Sequence, residues 1–130
     1  PPPSCILRVA YRRMLEAGHS VSSYFSANDF WCDIGTPNSY LEAQINLLKQ
    51  LSVTCPSYPG VKIYHPVSIG KGVVIGEHST VGPYAVIGDH SQIPNNTSIS
   101  HSVLWPHSQL SCNDKLHQTI VYQQKQKIDL

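Results

Sequence analysis

The chain has 130 residues, a length that suits one domain or two small ones. Its nine Lys and Arg residues and eight Asp and Glu residues leave a formal charge of +1, which gives no reason to expect nucleic acid or a membrane surface as a partner. No apolar run approaches the roughly 20 residues needed to span a bilayer. Only 13% of the residues are charged, a low share that a solenoid with Ser, Thr, Asn, Gln and His on its faces would explain.

The four cysteines, Cys5, Cys32, Cys55 and Cys112, are too far apart for a CxxC motif, so we expect neither a zinc site nor a redox pair. The chain shows no secretory signal and is not rich in cysteine, which favours reduced thiols in a cytoplasmic protein. It begins with three prolines and no Met, so we expect a fragment rather than a natural start.

The first third of the chain predicts a helix, two strands and a second helix. Ser4 can cap the first helix, and Gly18 can end it in a left-handed conformation. Strands are predicted over 21–25 and 30–34, with turn residues between them. The apolar positions of the first helix recur at three- and four-residue steps and are Ile6, Val9, Ala10, Met14 and Ala17.

The second helix is predicted to begin at Thr36, a suitable N-cap, because Pro37 follows it at the first helical position. The helix is expected to end near Ser52, and Trp31 is expected to pack against it. Residues 55–60 contain two prolines and predict a linker. The stripe along the helix consists of Tyr40, Leu41, Gln44, Leu47, Leu48 and Leu51.

A six-residue repeat follows the linker. The first position is filled by Ile63, Ile69, Ile75, Val81, Ile87, Ile93, Ile99 and Trp105. Glycine stands next to it in four consecutive units, at Gly70, Gly76, Gly82 and Gly88. The fifth position is mostly small or β-branched and is filled by Val67, Val73, Ser79, Ala85, Ser91, Thr97, Val103 and Gln109.

A period of six residues does not match the 3.6-residue period of an α-helix. It suits a backbone that turns a corner after each short strand, points one large aliphatic side chain inward, and stacks its coils because one coil cannot bury its own apolar side. The spacing resembles the left-handed parallel β-helix of hexapeptide-repeat proteins, in which three units make one coil. We expect a change of phase after Trp105, where Leu104, Leu110, Leu116 and Tyr122 continue the spacing one place earlier, and we expect Trp105 itself to pack in or on the coil.

Residues 30–43 carry a second motif and read FWCDIGTPNSYLEA. This stretch resembles the W-x-D-I-G-T-P-x-x-Y segment that closes the catalytic domain of sugar-1-phosphate nucleotidyltransferases, above all mannose-1-phosphate guanylyltransferases and related NDP-sugar pyrophosphorylases. In that family a hexapeptide β-helix often follows directly, as the repeat does here after Gly60. The resemblance covers nearly the whole chain.

The resemblance implies transfer of a nucleotidyl group from an NTP to a sugar 1-phosphate with release of pyrophosphate. It implies Mg²⁺ as cofactor, with Asp33 as one metal ligand in the intact enzyme, and it places Trp31, Gly35 and Thr36 near the substrates. A carboxylate-held Mg²⁺ would neutralise the converging phosphates. Without the resemblance, Asp33 is better explained as a strand-end residue that hydrogen-bonds the following turn.

The sequence departs from this family because the Gly-rich, G-x-G-T-R-L-like loop that cradles the NTP phosphates is missing. We therefore expect no catalytic residue, no cofactor and no turnover in these 130 residues alone, with NTP and sugar 1-phosphate bound by an absent N-terminal domain. The predicted fold is mainly β. It comprises a catalytic-domain remnant of small α/β type over 1–54, a linker over 55–60 and a left-handed β-helix over 61–130, through which we expect homo-oligomers.

Two alternatives rest on the seven histidines. A zinc site of the γ-class carbonic anhydrase kind needs a pair five residues apart, and it fails by one residue because His101 is followed by His107. A hexapeptide-repeat acyltransferase uses one histidine as general base at a trimer interface, and His78, His90 or His101 is of the right type. No unit over 63–109 is interrupted by the loop that often accompanies that activity.

Overall fold

A computed structural model describes residues 5–27, 29–51, 55–122 and 125–130. The chain divides into two compact units, one that extends to Trp31 and one that begins at Cys32. We call them the N-terminal unit and the solenoid unit and describe each by itself. Among the described residues, no helix is long and apolar enough to cross a membrane.

The N-terminal unit contains one short helical segment. A π-helical stretch, Ile6–Tyr11, leads into helix α1, Arg12–Glu16, and Gly18 then adopts a φ of +79°, as the sequence predicts. The predicted cap, Ser4, lies outside the described residues. No described residue of this unit is buried, and the side chain of Ile6 is 64% exposed.

The two strands predicted over 21–25 and 30–34 are wrong. Neither stretch belongs to a strand in the part of the chain that is described, where the first strand begins at Lys62. These stretches have the composition of strands, but an extended segment becomes a strand only beside a partner with which it can exchange backbone hydrogen bonds.

Helix α2, Pro37–Gln50, begins as predicted. The Thr36 hydroxyl accepts a hydrogen bond from the Ser39 N–H at 3.1 Å, and the Ser39 hydroxyl accepts one from the Thr36 N–H at 3.0 Å. The helix ends at Gln50, and Ser52 lies outside the described residues. Its buried face is narrower than the predicted stripe, because Leu41 and Leu48 are buried while Leu47 is 44% exposed.

The rest of the solenoid unit is a parallel β-solenoid of about three turns. The strands found among the described residues are β1 Lys62–Ile63, β2 Val67–Ile69, β3 Val74–Ile75, β4 Thr80–Val81, β5 Ala85–Ile87, β6 Gln92–Ile93, β7 Ser98–Ser100, β8 Ser102–Leu104, β9 Lys115–His117, β10 Thr119–Tyr122 and β11 Gln126–Asp129. The order β1-β4-β7-β9 forms the first face, β2-β5-β8-β10 the second, and β3-β6 the third. All these pairs are parallel, and β11 adds an antiparallel strand beside β10. The prediction of stacked β-coils is confirmed.

One apolar core runs through the solenoid. Its buried side chains are Val67, Val73, Ile75, Val81, Ala85, Ile87, Ile93, Ile99, Leu104, Leu110, Leu116 and Val121. Small hydroxyl residues are buried between them, and the Thr97 hydroxyl donates to the Pro94 carbonyl at 2.8 Å. Cys55 and Tyr58, from the segment predicted as a linker, pack against this core, and burial, together with Cys55, raises the pKa of Tyr58.

The change of phase occurs earlier than predicted. Val81 pairs with Ile99, eighteen residues on, but Ile87 pairs with Leu104, seventeen residues on. One residue is lost at the corner after Ile99, so Leu104 points into the core at 1% exposure and Trp105 is left 45% exposed on the surface. The six-residue count could not locate the loss, because Leu104 and Trp105 are both large and apolar.

A second residue is lost at the corner before β10. Ile99 pairs with Leu116, seventeen residues on, because the corner before β8 lies between them. Val103 pairs with Ile120, again seventeen residues on, although only the corner before β10 separates β9 from β10. As a result, Val121 is fully buried and Tyr122, which the spacing placed in phase with Leu116, is only half-buried. The prediction for Tyr122 is therefore wrong.

Most corners of the solenoid contain a residue with positive φ. Apart from glycine these are His78, Tyr84, His90, Asn96, His101, His107, Asn113 and Gln118, with φ between 47° and 66°. Asn and His enter this region more readily than most residues. Backbone geometry therefore accounts for four of the seven histidines without any metal.

Candidate functional site

A groove of about 490 Å³ lies on the outer side of the second face. It lies between the start of helix α2 and the hairpin of β10 and β11. We call it the aromatic groove, and its lining residues are Ile34, Gly35, Thr36, Pro37, Tyr40, Trp105, Ile120, Tyr122 and Ile128.

The aromatic groove exists because helix α2 covers only part of an apolar sheet face. Leu41 of the helix packs with Val103 of β8 and Ile120 of β10 in a second apolar cluster. Trp105 lies one step beyond this cluster along the same outer face and stays 45% exposed. Because one residue is lost at each of two corners, the inward and outward positions are exchanged along β8 and β10. Val103, Ile120 and Trp105 therefore point outward.

Three aromatic rings form one side of the groove. The ring centroid of Trp105 lies 6.5 Å from that of Tyr40 and 6.1 Å from that of Tyr122, at interplanar angles of 76° and 63°. These are edge-to-face contacts, which aromatic pairs favour. None of the three rings stacks flat on another, so a flat ligand ring could lie against one of their faces.

Among the residues that the structure describes, no ionisable acid or base other than the two tyrosines lines the aromatic groove. Its polar groups are the hydroxyls of Tyr40 and Tyr122, the indole N–H of Trp105 and the hydroxyl of Thr36, which already takes part in the helix cap. A Cβ added at Gly35 would meet no atom within 4 Å, so this wall of the groove is open.

The structure brings together only some of the residues selected from the motif. Gly35 and Thr36 line the aromatic groove. Trp31 ends the N-terminal unit and is 82% exposed, and its expected contact with helix α2 of the solenoid unit stays a prediction. The predicted roles of Trp31, Gly35 and Thr36 near a substrate are not tested by this geometry and stay predictions.

Asp33 has an exposed carboxylate. The described residues hold no group of three or more His, Cys, Asp or Glu side chains that could bind a metal ion. Mg²⁺ commonly uses one or two protein carboxylates together with substrate phosphates and water. The expected role of Asp33 as one Mg²⁺ ligand is not tested by this geometry and stays a prediction.

A histidine cluster lies at the corner between the first and second faces. The His101 ring is 4.9 Å from the Tyr84 ring and 5.2 Å from the His117 ring, measured between centroids. The His117 Nδ1 lies 2.9 Å from the Ser100 hydroxyl, and the Lys49 ammonium of helix α2 lies 5.4 Å from the centre of the Tyr84 ring. Sequence reasoning missed this cluster, because the shortened corner decides which histidines become neighbours.

The His101 imidazole is partly buried, and its Nδ1 has no hydrogen-bond partner within the described structure. Burial lowers the pKa of His101 below its ordinary value of 6.5, and the nearby His117 and Lys49 lower it further. The neutral imidazole is therefore the favoured form at neutral pH.

A second histidine pair, His90 and His107, is exposed at the corner between the second and third faces. The two rings are stacked with centroids 5.3 Å apart and an interplanar angle of 12°. The Nε2 of His65 lies 3.9 Å from the Cys55 Sγ.

No protein-family model matches the chain, and no curated protein matches it either. The structural class of the protein therefore rests on the fold and the site alone. It is a β-solenoid of about three turns with a capped helix on one face and an aromatic groove beside that helix.

Proposed function

We propose that the chain is the C-terminal part of a sugar-1-phosphate nucleotidyltransferase and that its solenoid is a left-handed hexapeptide-repeat β-helix that serves oligomerisation or regulation. One observation carries this proposal. The motif over 30–40 leads directly into a capped helix that packs on a three-faced parallel solenoid, and this is the order expected from the resembling family.

The spacing of paired strands supports the hexapeptide class. Lys62 pairs with Thr80 and Thr80 with Ser98, eighteen residues apart in each case, which equals three units of six. One buried aliphatic per unit, as at Ile75, Val81 and Ile87, agrees with the inward position read from the repeat.

The surface of the N-terminal unit supports the idea of a catalytic-domain remnant. Large apolar side chains that are more than half exposed are Ile6, Leu7, Leu15, Tyr24, Phe25 and Trp31. Such a density of exposed apolar residues in a short stretch marks a surface that a further protein body covers. In this proposal the rest of the nucleotidyltransferase domain supplies that cover.

The ends of the solenoid support the proposed role in assembly. Strands β1 and β9 stand at the two ends of the first face, each with a neighbour on one side only among the described strands. Open strand edges favour pairing with another chain, and a second copy is the simplest partner.

The decisive experiment is to determine the coding sequence upstream of Pro1 and to express the longer protein. We expect an upstream G-x-G-T-R-L-like loop, and we expect the longer protein to release pyrophosphate from an NTP and a sugar 1-phosphate in the presence of Mg²⁺. Asp33→Asn should reduce that activity by about 100-fold or more, because a metal ligand supplies several kcal/mol of charge stabilisation. Asp29→Asn, which changes another exposed carboxylate four residues earlier, is the control. An upstream region without the loop, or equal activity of both variants, would contradict the proposal.

The 130-residue chain by itself should release no pyrophosphate above background from the same substrates. The loop that positions the NTP phosphates is absent from it, and oriented backbone N–H groups at such a loop are what hold those phosphates. Turnover by the pure chain would show that it is not a catalytically incomplete part.

A second candidate function is acyl transfer with a histidine as general base. The lowered pKa of His101 favours it, since a neutral imidazole can accept a proton near neutral pH. A trimer that binds acyl-CoA, with binding or transfer lost in His101→Asn, would support this candidate. A chain that associates without binding acyl-CoA would support the nucleotidyltransferase part instead.

A further inference from the structure

The aromatic groove has the size and the lining of a small-molecule site. Its volume of about 490 Å³ is in the usual range for ligand pockets, which are mostly apolar with a few polar groups. Four isoleucine and proline side chains form its apolar walls: Ile34, Pro37, Ile120 and Ile128.

The arrangement of the three aromatic rings in the groove favours a flat ligand ring. Trp105 meets Tyr40 and Tyr122 edge to face, so neither tyrosine ring stacks flat on the indole. Trp105 is 45% exposed and can therefore accept a flat ring from outside. Stacking of a nucleobase on an aromatic side chain is favourable for every base, because each base has a π-face.

The polar groups of the lining residues favour an uncharged ligand group. The aromatic lining residues carry neutral hydrogen-bonding groups, namely the two tyrosine hydroxyls and the Trp105 indole N–H, and such groups suit the edge of a heteroaromatic ring. The described part of the groove lining contains no Lys, Arg or His that could pair with a phosphate. The Lys127 ammonium, next in sequence to the lining residue Ile128, is already bound to the Asp114 carboxylate at 2.8 Å.

We propose that the aromatic groove binds the base of a nucleoside by stacking on Trp105, with the sugar and any phosphate left outside. This inference does not depend on nucleotidyl transfer, because it rests on the groove alone. It predicts that adenosine and AMP bind with similar affinity, since the phosphate finds no cation in the groove.

The experiment uses the fluorescence of Trp105. The chain has two tryptophans, and Trp31→Phe leaves Trp105 as the single indole reporter. Trp31 is 82% exposed, so this change should leave the fold intact. Titration with adenosine should quench the Trp105 emission in a saturable manner, AMP should do so within about threefold of the same dissociation constant, and ribose should not quench it.

Gly35→Leu, made in the Trp31→Phe background, adds a bulky side chain to a residue that lines the groove and removes no contact. A Cβ at Gly35 meets no atom within 4 Å, and Gly35 does not require a positive φ, so the added side chain enters open space. The affinity for adenosine should fall at least about tenfold, as expected when the stacking of one base is lost. Asn38→Leu adds the same side chain at an exposed helix position outside the groove and should leave binding unchanged.

Four results would overturn the proposal. They are the absence of saturable quenching, equal binding by the Gly35→Leu variant, binding of AMP without binding of adenosine, and quenching that follows the protein concentration alone. The third result would indicate a phosphate site, and the fourth would indicate a second copy of the chain in the groove. Circular dichroism of both leucine variants confirms that any loss of binding comes from a folded protein.

Discussion

The solenoid and the N-terminal unit are made from similar residue types, and they differ in how much they bury. In the solenoid, Val67, Val81, Ile99 and Val121 are fully buried although their strands are only two to four residues long. In the N-terminal unit no described residue is buried, although helix α1 and its π-helical start are as long as any of these strands. Burial thus comes from the neighbouring coil, which a strand of the solenoid has and an isolated helix lacks.

The largest effect on the free energy of unfolding is expected when a buried isoleucine of the solenoid is replaced by alanine. The same replacement in the N-terminal unit is the comparison. Ile99→Ala should lower the free energy of unfolding by about 2–5 kcal/mol, because it leaves a cavity in a close-packed core. Ile6→Ala, at a side chain that is 64% exposed, should change it by less than about 0.5 kcal/mol. Urea denaturation followed by circular dichroism measures both values. If Ile6→Ala cost as much as Ile99→Ala, the N-terminal unit would have a core of its own.

Glycine substitutions sharpen the contrast between a stacked corner and an open segment. An added Cβ at Gly82, where φ is +96°, would collide with the Tyr64 carbonyl oxygen of the preceding coil. Gly82→Ala should therefore destabilise the solenoid by about 1–3 kcal/mol. Gly35→Ala is the matched control and should be neutral or slightly stabilising, because the Cβ meets nothing. Equal thermal stability of the two variants would contradict the close stacking of coils at Gly82.

A smaller effect on stability is expected from the ion pair that connects strand β11 of the last hairpin to the solenoid. Lys127→Met removes the 2.8 Å ion pair with Asp114, whose partners are 32% and 21% exposed, and should cost about 0.2–1 kcal/mol. Burial would raise the pKa of Asp114, but the Lys127 ammonium and the Ser111 N–H lower it below its ordinary 3.8. The ion pair therefore contributes fully to the free energy of unfolding at pH values above the ordinary pKa of 3.8. That contribution is lost as the pH falls through the lowered pKa of Asp114 in the folded chain. Lys115→Met, an exposed control on β9, should show neither the cost nor the pH dependence.

The smallest effect is a change in the dependence of stability on pH. The pKa of His101 is lowered in the folded chain, so the unfolded chain takes up a proton first as pH falls below 6.5, and stability decreases from that point until the folded pKa is passed. His101→Asn keeps a residue that tolerates the positive φ and removes the titrating ring. It should flatten the decrease measured by denaturation between neutral and mildly acidic pH. His78→Asn makes the same exchange of side chains at an exposed corner of the same backbone geometry and is the control for that exchange.

Much of the solenoid could be predicted from the repeat alone. Ile75, Val81, Ile87, Ile93 and Ile99 are buried where the six-residue spacing places them. The start of helix α2 could also be predicted, because a cap and a proline act within one turn and need no distant partner. These features depend on neighbours in sequence or on a strict period, both of which can be read from one chain.

The aromatic groove could not be predicted in the same way. Trp105 and Tyr122 face outward because one residue is missing at each of two corners, and a shift of one residue sends a side chain to the other side of the sheet. The groove also needs Ile34 and Pro37, which are about 70 residues away from Trp105 along the chain.

The sequence by itself therefore determined the stacked β-coils, their inward aliphatic residues and the cap of helix α2, since each follows from a short-range rule or from the period. Only the tertiary structure decided which large side chain of a pair such as Leu104 and Trp105 lies in the core, and that His101 lies beside His117. The physical reason is that the number of residues at a corner sets the register between coils. That number depends on the path of the folded backbone and cannot be read from any single residue type.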